Sequence, residues 1–258
     1  MPSTIGLKCR LRWAEIRMLL WGCLAALGLG TLLWTPVAAV LHLVLPEHAG
    51  RRVGRAAAHA FFRFYVRTLR ATGYVCIELH EIAPLARETP LIVAANHPSL
   101  LDALLLLAVL PDGYCLMKPA LTRSLFWGAA ARLAGYVGGE DFISVTRTAV
   151  ERLRQGGQLI IFPEGTRSDP WPLGPLHGGV ALIARQARVP IQAVVIESNT
   201  RFLSKGWPLG RMPPLPLHFR LRCGARIDPQ TPAAQIVERL RAQWTQTLPD
   251  APPSREPQ

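Results

Sequence analysis

Between Met18 and Leu45 the chain carries no charged residue, only a neutral His42, and few folds accommodate such a stretch. As one helix it would run about 42 Å, against a bilayer hydrocarbon core of about 30 Å. Pro36 lies inside the run and is expected to interrupt it. Two arrangements fit: a single tilted span from about Met18 to Val37 with an interfacial continuation, or a re-entrant helix pair dipping into one leaflet. A cleaved signal peptide is the alternative, because Lys8, Arg10 and Arg12 precede the run and Val37-Ala38-Ala39 offers small residues for cleavage. The length of the run argues against it.

The next segment is basic. Arg52, Arg55, His59, Arg63, Arg67 and Arg70 recur at spacings of three and four, so on a helix they form one stripe, with Ala57, Phe61, Phe64 and Tyr65 opposite. A helix of this kind lies along an anionic leaflet, so membrane lipids are expected partners. Because the larger arginine cluster follows the apolar run, the domain beyond it is expected on the cytoplasmic side, at a bacterial-type inner membrane.

The formal net charge of +12 also raises nucleic acid as a partner. No zinc-finger, RNP or related motif accompanies it, and the arginines concentrate beside the apolar run, so no nucleic acid is expected. Cysteines at 9, 23, 76, 115 and 223 are odd in number and form no C-x-x-C pair, which speaks against a disulfide framework or a zinc site and for a reducing compartment.

Two blocks carry chemistry. Leu91-Ile92-Val93-Ala94-Ala95 reads as a short buried strand, followed by Asn96-His97-Pro98-Ser99-Leu100-Leu101-Asp102. Pro98 biases His97 toward extended geometry, and Ser99 with Asp102 fits a capping box that opens a helix at Leu100. On one continuous helix, residues five apart point about 140° apart, so His97 must precede the helix if the two groups are to meet. Asp102 can then fix the imidazole tautomer while the other ring nitrogen faces a substrate hydroxyl. Ser99 lacks a G-x-S-x-G elbow and is not read as a nucleophile. The second block, Phe162-Pro163-Glu164-Gly165-Thr166-Arg167-Ser168, follows another apolar run of strand length, Gln158 to Phe162. Arg167 offers a planar fork for phosphate or carboxylate, Thr166 and the Gly165 backbone add donors, and Glu164 can orient Arg167 or accept from a substrate hydroxyl.

Together the blocks resemble the H-x4-D and F-P-E-G-T-R signatures of the glycerol-phosphate and lysophosphatidate acyltransferase family, over roughly Tyr74 to Ile227. The resemblance implies a general base at His97, its partner at Asp102, and an acceptor site formed by Glu164, Gly165, Thr166 and Arg167. It implies transfer of a fatty acyl group from acyl-CoA or an acyl carrier protein to a lyso-lipid hydroxyl, 1-acylglycerol-3-phosphate first among acceptors, with no metal or other cofactor. The chain departs from the family pattern in two places, one of them the later segment with aliphatic residues around two prolines, which appears as Val189-Pro190-Ile191-Gln192-Ala193-Val194-Val195-Ile196 and retains only the first proline. Where the family carries an arginine between the blocks, Ala134-Gly135-Tyr136-Val137-Gly138-Gly139-Glu140-Asp141 has none, and Arg147 falls within an expected helix, Phe142 to Arg154. A lyso-lipid with another head group, such as an amino-acid lipid, is therefore an alternative acceptor. A lipid hydrolase and a non-catalytic lipid-binding relative are the other classes.

Elsewhere, strands are expected at Tyr74 to Leu79, Tyr114 to Lys118, Ile191 to Ile196 and Leu217 to Cys223, and helices at Ser124 to Leu133, His177 to Arg188 and Ala233 to Leu248. Their alternation indicates an α/β fold, a mixed sheet flanked by helices. The expected organisation is an anchor over 1–48, an interfacial helix over 49–72, an acyltransferase domain over 73–248 and a disordered tail over 249–258. Arg201 to Pro216 reads as a loop lining an acyl channel or touching membrane, or as an ordinary surface loop.

Overall fold

The computed structural model describes residues 4–124, 127–208 and 210–249, with side chains from residue 15 onward. Its elements are α1 (Thr4–Val44), α2 (Glu47–Ala71), β1 (Val75–Glu78), β2 (Leu91–Ala95), α3 (Asp102–Leu107), β3 (Gly113–Cys115), α4 (Pro119–Thr122), α5 (Gly128–Ala134), α6 (Phe142–Arg154), β4 (Gln158–Ile161), α7 (Gly179–Ala187), β5 (Ile191–Ser198), β6 (Leu217–Ile227) and α8 (Ala233–Thr247). Leu125 and Phe126, within the helix expected from Ser124, and the tail from 250 onward lie outside the described residues.

The six strands form one mixed sheet in the order β1-β6-β5-β2-β4-β3. β2 runs parallel to β4 and β5, and β3 parallel to β4, whereas β6 is antiparallel to β5 and parallel to β1. Residues at the centre are apolar without alternation because both faces are covered: all five residues of β2 are buried. Leu91, Val93 and Ala95 pack with α1, α2 and α3, while Ile92 and Ala94 pack with α6, α7 and α8. β6 alternates instead, with Leu217, Phe219 and Leu221 buried and His218 and Arg220 exposed. The carboxyl ends of β2, β3, β4 and β5 therefore gather on one edge, the usual place for ligands in an open α/β sheet.

The apolar run does not break at Pro36. α1 continues through it, and the chain turns only at Leu45-Pro46. Pro36 and Leu32, whose carbonyl loses its donor, both face outward, while the Thr31 and Thr35 hydroxyls donate to the carbonyls of Leu27 and Thr31 at 2.9 Å. α1 and α2 then lie antiparallel, with Gly30 against the Phe61 ring and Leu20 and Cys23 near Tyr65 and Leu69. Ala38 packs on Ala129 and Leu133 of α5. The opposite side of α1 is an unbroken exposed apolar stripe that includes Met18, Leu29, Leu33, Val37, Val40 and Val44.

α2 divides the expected basic stripe. Phe62, Tyr65, Val66 and Leu69 face the core, and Arg55, at the margin of the stripe, is buried with them. Its Nε donates to the Ala134 carbonyl at 3.1 Å, its Nη1 bonds Asp112 at 2.8 Å, and its guanidinium stacks 4.4 Å from the Tyr114 ring centroid. Arg52, Arg63, Arg67 and Arg70 remain exposed, as does Phe64.

Candidate active site

At the end of β2 the chain leaves the sheet at Asn96, whose side chain replaces a further strand pair. Its Nδ2 donates to the Ile196 carbonyl at 2.9 Å, and its Oδ1 accepts from the Ile196 N–H at 2.7 Å. This bond fixes the backbone from which His97 projects. Two contacts hold the imidazole and one holds its backbone. Nδ1 lies 2.8 Å from Asp102 Oδ2, the ring stacks on Phe162 at 4.1 Å between centroids, and the His97 N–H donates to Glu164 Oε1 at 2.9 Å. Nε2 has no partner among the described residues, and the His97 side chain retains 18% exposure.

The capping pattern read from sequence is half realised. Asp102 Oδ2 accepts the Ser99 N–H at 2.7 Å as well as the His97 Nδ1–H, but α3 begins at Asp102 itself rather than at Leu100. Ser99 Oγ instead donates to the Phe202 carbonyl at 2.9 Å, so it is bound to a structural partner. Asp102 is wholly buried and its Oδ1 has no hydrogen-bond partner among the described residues. Burial pushes its carboxyl above the usual carboxylate range, and the nearby Glu164 charge adds to this, while the bond and charge of His97 and the Ser99 N–H pull it back down.

The second block sits at the end of β4, beside His97, because β2 and β4 are paired in register. Glu164 is 2% exposed and its oxygens are fully engaged. Oε1 accepts from His97 N–H and from Ser168 Oγ at 2.8 Å, and Oε2 accepts from the Gly174 N–H at 2.8 Å. The Ser168 N–H returns to the His97 carbonyl at 2.7 Å. Glu164 makes no bond to Arg167; it ties the two blocks to each other. Gly165 turns with φ +65°, a conformation that strains other residues, and the His177 ring lies against the turn, 3.4 Å from where a Cβ would stand. Thr166 is half-buried beside it. Arg167 Nη1 donates to the carbonyls of Leu203 and Ser204 at 2.9 and 3.1 Å, leaving Nε and Nη2 without partners among the described residues.

These bonds give the long loop after β5 its place. Leu203 (φ +56°) also accepts the Leu100 N–H at 3.1 Å, so the loop is strapped to both blocks at once. Sequence reasoning found His97 and Asp102 but gave no role to Asn96, Phe162, Ser168, Gly174 or the strap at Phe202 to Ser204. Their partners are far away in the chain, and no local pattern announces them.

A family model for acyltransferases matches residues 76–197, a segment that contains both blocks. The chain belongs to the acyltransferase family. It is 31% identical over 182 residues to the 1-acyl-sn-glycerol-3-phosphate acyltransferase alpha of Ovis aries, covering 67% of this chain and 61% of that protein. To the beta form of Homo sapiens it is 34% identical over 177 residues, covering 64% and 62%. The chain thus spans about three fifths of the length of these curated relatives. Its fold is that of the crystal structure of the 1-acyl-sn-glycerophosphate acyltransferase from Thermotoga maritima, with TM-score 0.68 and 19% identity over 91% of this chain and 96% of that one. The segment that lacks the family arginine is structurally occupied: Asp141 caps α6 by accepting from the Ile143 and Ser144 N–H groups at 3.2 and 2.9 Å, and Glu140 pairs with Arg123 at 2.9 Å.

Proposed function

We propose that this chain is a membrane-bound O-acyltransferase that moves a fatty acyl group from a thioester, acyl-CoA or acyl carrier protein, to the hydroxyl of a lyso-phospholipid, with 1-acylglycerol-3-phosphate the leading acceptor. The single observation that carries this reading is the His97–Asp102 bond of 2.8 Å with Nε2 left open at a strand end. An imidazole oriented in this way takes a proton at Nε2 and returns it there. The acceptor oxygen attacks the thioester carbonyl carbon as its proton passes to His97, a tetrahedral intermediate forms, and its collapse breaks the C–S bond. The proton then goes from the imidazolium to the departing thiolate. Asp102 stays ionised throughout and stabilises the imidazolium. The names of the relatives support a glycerol-phosphate acceptor, and the free Nε and Nη2 of Arg167 offer its phosphate a charged fork.

The membrane reading favours an in-plane anchor. α2 lies along α1 and carries exposed Arg52, Arg63, Arg67 and Arg70, so a crossing α1 would draw those charges toward hydrocarbon. Lying along one leaflet, α1 sinks its apolar stripe while the arginines meet lipid phosphates. The domain then faces the cytoplasm, where thioester donors are found.

The test is transfer of a labelled acyl group from a thioester to a panel of lyso-lipids and glycerol 3-phosphate, with wild type and His97→Ala side by side. The variant is expected to lose about 10²–10⁴-fold in kcat with its circular dichroism unchanged. Undiminished transfer would remove His97 as the base. Release of free fatty acid with no acylated lyso-lipid would make the protein a hydrolase, and transfer confined to an acceptor without phosphate would show that the head-group site has diverged with the lost arginine.

A further inference from the structure

At the turn after β4 the carboxylates are engaged and the donors are not. Glu164 accepts three hydrogen bonds through its two oxygens, and Asp169, just beyond the turn, pairs with Lys205 at 3.0 Å. Arg167, by contrast, keeps Nε and Nη2 without partners among the described residues, and the Thr166 hydroxyl makes no bond to any of them. A surface with its negative groups satisfied and its donors left over is complementary to an anion.

The chain returns to this turn at His177. Over residues 168–177 it loops away and back, tied on the way by the Gly174 N–H to Glu164 Oε2, and the His177 N–H then donates to the Pro163 carbonyl at 2.8 Å. That bond seats the imidazole on the glycine of the turn, with Cδ2 and Nε2 lying 3.4 and 3.6 Å from where a Cβ at Gly165 would stand. The side chain is exposed, and neither ring nitrogen has a partner among the described residues. Beside it Gly178 has nothing within 4 Å of its missing side chain, so the approach to the ring is open. A guanidinium fork, a hydroxyl and an imidazole thus border one turn, and both ends of that turn touch His97, through the Phe162 ring and through the Ser168 N–H.

Building on the acyltransfer reading above, we propose that His177 is a further head-group residue, which donates from Nε2 to the phosphate of the lyso-lipid acceptor while Arg167 holds the same phosphate with its free fork. A phosphomonoester has three terminal oxygens, enough for both donors, and its charge complements the guanidinium. The segment between the blocks supplies no such donor, since it lacks an arginine, Glu140 is paired with Arg123 and Asp141 caps α6. The phosphate is unchanged by the reaction, so a residue that holds it contributes equally to the ground state and the transition state, and its loss appears in KM rather than kcat.

The test measures KM and kcat for lysophosphatidate, for 1-acylglycerol, which lacks the phosphate, and for the thioester, using full-length wild type, His177→Ala and His177→Lys in vesicles. His177→Ala is expected to raise KM for lysophosphatidate about tenfold, the worth of one hydrogen bond to a charged group, and to leave its kcat, the thioester KM and any transfer to 1-acylglycerol within about twofold of wild type. His177→Lys keeps a donor at that edge of the turn and is expected to recover most of the loss, which a role in shape alone would not allow. An unchanged lysophosphatidate KM in His177→Ala, a loss that His177→Lys does not recover, or an equal loss with 1-acylglycerol would overturn the assignment. A rise confined to the thioester KM would overturn it in favour of a phosphate on the donor. Wild type that acylates only acceptors without phosphate would remove this inference and leave acyltransfer standing, whereas wild type that acylates no acceptor would overturn the acyltransfer reading itself.

Discussion

Asp102 accepts two hydrogen bonds at one oxygen and none from the described residues at the other, and is buried completely, so its negative charge orients His97 at a cost in stability. Because burial raises its value above 3.8 in the folded state, the folded protein binds a proton that the unfolded chain does not in the window between the two values. Stability therefore falls as pH rises through that window and stays reduced above it. Activity runs the other way, since only the ionised carboxylate stabilises the imidazolium. Asp102→Asn separates the two effects. Asparagine can keep one acceptor toward Ser99, so thermal unfolding near neutral pH should stay within a few degrees of wild type or rise, while kcat drops about 10²–10⁴-fold. A collapse of the melting temperature would mean that the charge holds the fold rather than the base. The pairing itself was legible in the sequence because Pro98 and the capping pattern are local. The part played by Glu164 was not, for its donors come from His97 and Gly174, which only the pairing of β2 with β4 and the loop beyond bring within reach.

α2 and α5 cross at close quarters. A Cβ added at Gly54 would stand 2.6 and 2.7 Å from the backbone N and Cα of Ala134, atoms that cannot swing aside. Gly54→Ala is expected to destabilise the protein by about 1–3 kcal/mol, read from denaturant unfolding, by forcing the two helices apart. Gly28→Ala in α1 meets nothing within 4 Å and should be neutral or gain helix propensity, which makes it the matched control. An equal response at both positions would refute the close crossing. Helical periodicity made α2 readable as a helix, and it marked the basic side. It could not say that Arg55 turns inward, because that depends on Asp112 and the end of α5, both far along the chain. The second task of Arg167 was hidden for the same reason: a guanidinium in a turn looks wholly free until the loop after β5 folds over it and supplies two carbonyls to Nη1.

At the scale of the whole molecule, α1 presents two apolar sides with different tasks. One seats Leu20, Cys23 and Ala38 against the domain, and the other exposes Leu33 at 65% and Val37 at 47%. Charges placed on the outer side should abolish membrane attachment without touching the core. Leu33→Asp with Val37→Asp is expected to leave near-ultraviolet circular dichroism unchanged and to shift the protein from vesicle-bound to free in flotation, most clearly at high salt, where the arginines of α2 are screened. Retention on vesicles at high salt would show that another surface carries the attachment.

Short-range chemistry was enough for the sequence to determine the strand-and-helix alternation, the apolar run, the basic side of α2 and the two blocks at strand ends, since hydrophobic period, proline restriction and capping act within a few residues. The tertiary structure alone decided that α1 passes through Pro36 unbroken and doubles back on α2, that Glu164 joins the blocks, that Arg167 holds the strap, and that the Tyr65 hydroxyl is buried with no hydrogen-bond partner among the described residues. Each of these depends on which distant backbone group or surface arrives beside a side chain. That is fixed by strand order and helix packing, which no local pattern encodes.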